Sequence, residues 1–515
     1  MTKLTFYGGV NEIGGNKIHV NFKKGGLLLD FGQSFKEEAE YFEEFLQPRS
    51  KSEYYDLTTL GLLPKINGVY RHDAFCPEGL DACIPSVQQY WDKPLKSYEE
   101  EKETGWTPDA LWVSHAHLDH SGYIGYLGNM PIICSEETKR LTKAISDVGN
   151  MSGYQSDLLE MKPRIIKSRK TGFFPDSLFI DSDDPVPRDY PDFKPNTPYT
   201  TENEITITGF NVSHSVPGAM ACLVEADDTQ ILYTGDIRFH GRVNPDLSNL
   251  DGLAPDIMIS EGTNIEDTEP DNEKQVQQNI QDIVSETEEL VMVGFAWKDL
   301  ERYETVRDAA LAEGRIPVFD PRLAYTLARF GRNIYDEDAS VFVERCESMI
   351  YSEDDYKKSK HKAGLMDYDL WDSKKDSRNT DTCHLEKGVY AYDLHEDPSA
   401  YVLHLDFYRF KNLLDIQPSP GSLYIRAQCE PFNARMELSD ERLHRWLKHF
   451  EINPDHEYKP YQFHASGHAC GPDVIDFINR VKPKKVIPIH TEKPKTFQQS
   501  FPQTILVEKG KTIEL

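Results

Sequence analysis

The sequence predicts an α/β protein in which a second α/β unit is inserted between two parts of the first. Three observations carry this. The first third alternates short apolar runs with glycine turns. From about residue 265 strand-length apolar runs alternate with helical stretches, the β-α-β-α order of a parallel sheet in a domain of its own. After residue 455 the chain resumes strand-helix-strand order, which divides it into 1–264, 265–455 and 456–515. At 515 residues there is chain enough for two full cores.

Residues 3–7, 17–22 and 26–30 read as successive strands. Residues 36–105 are polar and aromatic without a clean period, and are expected to form surface excursions beside the first sheet. A strand at 110–114 and helical spacing over 136–148 follow, then strands at 204–214, 219–226 and 230–236. In the second unit the pattern predicts a helix at 272–288, a buried strand at 290–295, a helix at 299–313 and a strand at 316–320. Pro321 opens a further helix to residue 330. Residues 352–387, rich in Lys, Asp and Ser, read as a mobile surface loop. A strand at 423–427 and an amphipathic helix at 440–450 close the unit. The last part offers strands at 461–464 and 485–490 around a helix at 472–481.

Hydrophobic residues make up 38% and aromatics 11%, which suits a folded protein rather than a disordered one. The formal charge of −29 argues against a protein that coats nucleic acid, yet allows an enzyme that gathers cations or metals in one groove. No apolar run approaches the roughly 18–20 residues of a membrane span. The first residues lead directly into a strand, so neither a signal peptide nor a membrane partner is expected, and the location expected is cytoplasmic. Eight cysteines without a Cys-x-x-Cys pair give neither a disulfide framework nor a structural zinc site, so Cys76 and Cys83 read as ordinary thiols.

The sharpest chemical signal is Ser114-His-Ala-His-Leu-Asp-His-Ser-Gly122, directly after an apolar run. In an extended segment His115, His117 and Asp119 share a side, and the following turn can bring His120 to the same centre. Imidazole and carboxylate donors suit zinc, with manganese or iron as alternatives. Further donors stand at the carboxyl ends of predicted strands, where α/β sheets usually place their sites. They are His214, Asp236, whose carboxylate could bridge two metals, and His490.

The series His-x-His-x-Asp-His, strand-end His, Gly-Asp and late His resembles the metallo-β-lactamase superfamily. The resemblance implies an αββα sandwich in which one metal takes His115, His117 and His214. A second takes Asp119, His120 and His490, with Asp236 between them. Asp30, in Leu-Leu-Asp-Phe-Gly, matches the family's early aspartate, which orients ligands. The 227 residues separating Asp236 from the segment His464-Ala-Ser-Gly-His-Ala469 hold the inserted unit, an arrangement similar to the β-CASP nucleases, and the segment itself looks like ribonuclease J. Residues 8–14, Gly-Gly-Val-Asn-Glu-Ile-Gly, and 260–264, Ser-Glu-Gly-Thr-Asn, resemble further stretches of that family. A phosphate-loop reading of the opening fails, because Gly15 and Asn16 stand where Lys and Ser or Thr are needed.

There are departures. Thr491 follows the last histidine where the family has glycine, and residues 296–302, Ala-Trp-Lys-Asp-Leu-Glu-Arg, replace its Ser-Asn-x-x-Arg stretch. A late Pro-Gly-Asn-Glu turn has no counterpart, with Glu430-Pro-Phe-Asn433 near its place. With 25 residues after His490, the C-terminal assembly domain of bacterial members is not expected.

The resemblance implies a two-metal ribonuclease, zinc or manganese dependent, acting on single-stranded RNA by exo- or endonucleolytic cleavage, with a homodimer as one expected assembly. Asp119 is expected to steer the nucleophile. His468 would stabilise the scissile phosphate or protonate the leaving oxygen, held by Glu261. His464, Ser466, Gly467 and His468 would bind phosphate in a turn whose backbone N–H groups precede a helix. Hydrolysis of DNA or of a small-molecule ester or phosphodiester is the alternative, because the same ligands serve all of these. A binding module without catalysis is disfavoured by the full set of seven ligands.

Overall fold

The computed structural model describes every residue except 1, 44, 50–51, 75–94, 150, 172–173, 182–183, 270–271, 346–387 and 431–433. The stretch 352–387 and the cysteines at 76, 83, 346 and 383 therefore lie outside the described residues. Cys134, Cys222 and Cys470 are buried free thiols and Cys429 is exposed and free.

Two six-stranded sheets lie face to face. From edge to edge the first runs Thr512–Glu514, Lys3–Gly8, Lys17–Asn21, Gly26–Phe31, Ala110–Trp112 and Ile132–Ile133. The second runs Tyr199–Thr200, Thr206–Asn211, Met220–Ala226, Thr229–Tyr233, Ile257–Ser260 and Val486–Pro488. Each begins with antiparallel pairs and ends with parallel ones. Alternation along the strands builds the layers. Leu27 and Leu29 point into the space between the sheets with Ile207, Cys222, Val224 and Ile259, whereas Leu28 and Phe31 face the other way. On that outer side lies the helix Glu136–Val148, through Leu141, Ala144 and Ile145. On the outer face of the second sheet, Ala221, Leu223 and Met258 meet Val474, Phe477 and Ile478 of the helix Gly471–Val481. The result is the expected αββα sandwich.

The third sheet is parallel throughout, in the order Ser340–Val341, Ile316–Phe319, Tyr401–His404, Val291–Gly294, Leu423–Arg426 and Tyr461–Gln462. Its helices start where side-chain caps satisfy the first amide groups. Asn272 accepts from Lys274 N before Glu273–Ser285, Asp299 from Arg302 N before Leu300–Ala312, and Asp320 from Arg322 N before Pro321–Arg329.

Two expectations need correction. The segment 36–105 is not merely a surface excursion. Tyr54, Leu57, Leu62, Leu63, Val69 and Tyr70 are buried in the core outside the first sheet, and the helices Phe35–Ala39, Glu53–Thr59 and Tyr98–Thr104 form within it. Isolated anchors supply that burial without a periodic face. The strand Tyr401–His404, inserted between two strands that precede it in sequence, has no counterpart in the sequence reading. Among the described residues no helix is long and apolar enough to cross a membrane.

Candidate metal centre

All the predicted ligands meet at one end of the sandwich. The buried strand Ala110–Trp112 delivers His115 and His117 in extended backbone. The extended reading holds only that far, because His117 caps the short helix Leu118–Ser121, and helical curvature rather than alternation turns Asp119 and His120 inward. His214 follows the strand Thr206–Asn211, Asp236 follows Thr229–Tyr233, and His490 follows Val486–Pro488.

One group comprises His115, His117, His214 and Asp236, a second Asp119, His120, Asp236 and His490, and a third Glu261, His468 and His490; donor atoms within each lie within 4.8 Å of one another. His117 Nδ1 is 3.1 Å from both His115 Nε2 and His214 Nε2. Asp236 Oδ2 sits 3.6 Å from His115 Nε2, 3.7 Å from His214 Nε2, 3.1 Å from His120 Nε2 and 3.7 Å from His490 Nε2. Asp119 Oδ2 is 3.3 Å from His490 Nε2. One carboxylate thus lies between two donor sets.

The outward nitrogens explain why the inward ones face each other. His214 Nδ1 donates to Gly467 O at 2.5 Å, which leaves Nε2 as a lone pair. His120 Nδ1 pairs with Asp30 Oδ2 at 2.6 Å, His490 Nδ1 with Thr263 Oγ1 at 2.8 Å and His115 Nδ1 with Ser114 Oγ at 3.1 Å. Fixing the tautomer from behind is what a metal-binding imidazole requires. Burial holds His115 and His214 well below the ordinary imidazole value and brings His117 down to about 3, so these rings stay neutral. Burial would also lower His120, but Asp236, Asp119 and Asp30 raise it well above that value: the carboxylates draw positive charge to this point. Asp236 Oδ1 is buried without a hydrogen-bond partner. Neutral inward nitrogens, carboxylates and an unsatisfied buried oxygen fit a divalent cation.

Asp30 is a hub. Its carboxylate accepts from Ser114 N at 2.7 Å, Ser114 Oγ at 2.8 Å and Tyr233 Oη at 2.5 Å, and Asn16 Nδ2 donates to Tyr233 Oη at 3.0 Å. Asp30 and His490 adopt left-handed backbone, φ 53° and 50°, a conformation that non-glycine residues keep only where surrounding structure imposes it. Gly14, at φ 80°, packs on Asp119; a Cβ there would lie 2.7 Å from Asp119 Oδ2.

His468 stands beside the second group. Its Nδ1 is 3.1 Å from Glu261 Oε1, 3.2 Å from Thr263 Oγ1 and 3.9 Å from Asp236 Oδ2. Burial opposes its charge, but Glu261 and Asp236 raise it to about 9. Glu261 is itself fixed by the amides of Ile237 at 3.2 Å and Thr263 at 2.9 Å. Thr263 touches both His468 and His490, and no sequence signal beyond its place in the 260–264 stretch marked it.

The remaining predicted residues have other local engagements. Ser466 Oγ accepts from Asn264 Nδ2 at 2.9 Å and from His468 N at 3.1 Å. Gly467 packs so closely on His214 that a Cβ would lie 2.9 Å from the ring. The amides of Ala469 and Gly471 are taken by Ile237 O and Asp267 O, so the start of the helix Gly471–Val481 is engaged within the protein rather than open to an anion. His464 lies outside both ligand groups; burial and Arg302 push it down to about 3, and its buried Nδ1 has no hydrogen-bond partner.

Residues 85–271 match the family model described as the metallo-β-lactamase superfamily. These residues form a metallo-β-lactamase-superfamily domain, and the curated proteins that the chain resembles are ribonucleases J. Residues 457–514 match the Zn-dependent metallo-hydrolase RNA specificity domain. The chain is 24% identical to ribonuclease J 2 of Streptococcus pyogenes serotype M3 over 216 residues, 40% of this chain and 33% of that protein. It is 24% identical to ribonuclease J of Mycolicibacterium smegmatis over 250 residues, 46% and 36% of the two chains. It thus spans about a third of the length of these curated relatives. A crystal structure of a protein of unknown function from Enterococcus faecalis V583 superposes over all of both chains with a TM-score of 0.68 at 21% identity, a likeness of fold alone.

Proposed function

We propose that the chain is a metal-dependent ribonuclease of the ribonuclease J kind, hydrolysing phosphodiester bonds of single-stranded RNA at the centre built on Asp236. The observation that carries this reading is the seating of His468, from the stretch that matches an RNA specificity domain, 3.9 Å from Asp236 Oδ2. The names of the two relatives support RNA as the polymer.

We assign His115, His117, His214 and Asp236 to one divalent ion and Asp119, His120, His490 and Asp236 to a second. Zinc is the first choice for so many imidazoles, with manganese the alternative. Bound there, such ions lower the pKa of water and offset negative charge on the phosphate. The chain's own residues do the rest. Asp119, pressed by Gly14 and facing His490, steers the attacking water. His468, fixed at Nδ1 by Glu261, offers its other nitrogen to the phosphate or the departing oxygen. Asp30 fixes His120. His464, Ser466 and Gly467 contribute to the phosphate side. We take 1–264 with 456–515 as the hydrolase domain and 265–455 as the insertion, with the strand Tyr461–Gln462 crossing that boundary to pair with Leu423–Arg426, in a cytoplasmic protein whose assembly, a homodimer in this reading, light scattering decides.

The test is purified protein on 5′-labelled single-stranded RNA, on DNA of the same sequence and on a chromogenic ester, with Zn²⁺ or Mn²⁺ and with chelator. RNA cleavage abolished by chelator is expected, and product lengths separate single-nucleotide release from internal cuts. Metal-loaded protein that cleaves DNA or the ester and leaves RNA intact overturns the reading.

A further inference from the structure

Next to the ligand clusters lies a set of buried charges that no role above uses. Arg238, Glu273 and Arg302 are all at most 1% exposed. Glu273 opens the helix Glu273–Ser285, and Arg302 stands in the first turn of Leu300–Ala312. Arg238 lies two residues beyond the ligand Asp236.

The carboxylate is shared. Arg302 Nη2 donates to Glu273 Oε1 at 2.7 Å and Nε to Oε2 at 3.3 Å, while Thr305 Oγ1 donates to Oε2 at 3.0 Å. Arg238 Nη1 lies 3.7 Å from Glu273 Oε1. Burial alone would raise the Glu273 carboxyl, but the two guanidinium groups hold it below the ordinary value.

Several of the remaining donors converge on one stretch of main chain. Arg302 reaches Phe463 O at 3.5 Å and Ala465 O at 3.4 Å, and also Ala427 O. Arg238 Nη1 reaches Ser466 O at 3.2 Å, seconded by His240 Nε2 at 3.0 Å. Arg238 Nε also donates to Ser213 Oγ at 3.2 Å, beside the ligand His214, and its Nη2 to Glu301 Oε2 at 2.7 Å. The hydroxyl of the same Ser466 accepts from His468 N.

We propose that Glu273, Arg238 and Arg302 are positioning residues for the turn that carries His468. The shared carboxylate fixes two guanidinium forks, whose other N–H groups hold the carbonyls of Phe463, Ala465 and Ser466 and through them the reach of His468 toward the substrate phosphate. A charge triad taken out of water is a poor source of stability compared with well-packed apolar side chains. Its distinctive product is direction: planar forks placing several donors at once, which lysine cannot do. The inserted helices thereby enter the catalytic geometry without supplying a group that touches the reacting atoms. This inference rests on the ribonuclease reading for its substrate, but not for its geometry.

The experiment uses the full chain loaded with Zn²⁺ or Mn²⁺. Arg302→Lys keeps the charge opposite Glu273 and loses the fork. It should lower kcat on single-stranded RNA by ~10–100-fold, with KM and bound-metal stoichiometry changed far less. The double substitution Glu273→Met with Arg302→Met should regain stability by denaturant midpoint without regaining kcat. Wild-type kcat in Arg302→Lys, or activity that returns with stability in the double variant, overturns the proposal. If the double variant does not fold, Arg302→Lys alone decides. The affinity for inorganic phosphate, by calorimetry, keeps the two readings apart. Wild-type protein that binds phosphate but cleaves no RNA sinks the ribonuclease reading, and weaker phosphate binding in Arg302→Lys then sustains positioning. Unchanged binding there, or no phosphate binding by the wild type, removes positioning as well.

Discussion

Two sides of the site are held in different ways. The imidazoles of the ligand groups are fixed by oxygens close to their own strands: Asp30 behind His120, Thr263 behind His490, Ser114 behind His115. The turn bearing His468 is fixed by long guanidinium groups, one of them from an inserted helix. The difference separates two properties that are often lost together. On the proposed assignment, metal grip would belong to the sandwich and alignment of the substrate side in part to the insertion, so each could be damaged alone.

The largest effect expected is for Asp236→Asn, which removes the carboxylate between both groups. Hydrolysis should fall to background and elemental analysis should show bound metal reduced. Full metal content with activity retained breaks the assignment of Asp236 as the shared ligand. Next, His468→Ala should lower kcat by ~10²–10⁴-fold with metal content unchanged, the range for losing a positioned proton donor or acceptor. A loss of metal instead would move His468 to the gripping side of the comparison.

Thr263→Val sharpens the boundary, since its hydroxyl lies 2.8 Å from His490 Nδ1 and 3.2 Å from His468 Nδ1. A loss of ~10–100-fold in metal affinity or activity is expected, and titration with a competing chelator reads which of the two moves. The smallest effect concerns the insertion. His404 is buried, donates Nε2 to Phe295 O at 3.0 Å and accepts from Asp320 N at Nδ1 at 3.4 Å. Burial pulls its imidazole below the ordinary 6.5. The unfolded chain therefore takes up the proton first, and stability present above that value is lost as pH falls below it. Urea midpoints at neutral pH and about pH 5 should differ less in His404→Gln than in the wild type; an equal difference removes His404 from this account.

The clustering of these donors was readable because donors at fixed offsets, and at predicted strand ends, are properties of short windows. The longer sandwich strands and the helix starts of the insertion were readable for the same reason, the latter following Asn272, Asp299 and Asp320. What short windows do not contain was missed. Thr263 acts only because the chain brings it to His490, 227 residues away. Tyr401–His404 is too short to display a period, and its neighbours in the sheet precede it by scores of residues. The Gly467 carbonyl sets the tautomer of His214, 253 residues away. Arg238, Glu273 and Arg302 lie far apart in the sequence, and only tertiary structure reveals one buried set.

The segments closing the sandwich come from opposite ends of the chain: Thr512–Glu514 pairs with Lys3–Gly8, and the edge strand Val486–Pro488 leads to His490. A ribosome makes that edge after every other strand of the sandwich except Thr512–Glu514. A nascent polypeptide that ends before residue 486 lacks His490 and the strand that presents it, so until that point in translation the growing chain cannot bring the proposed ligands together.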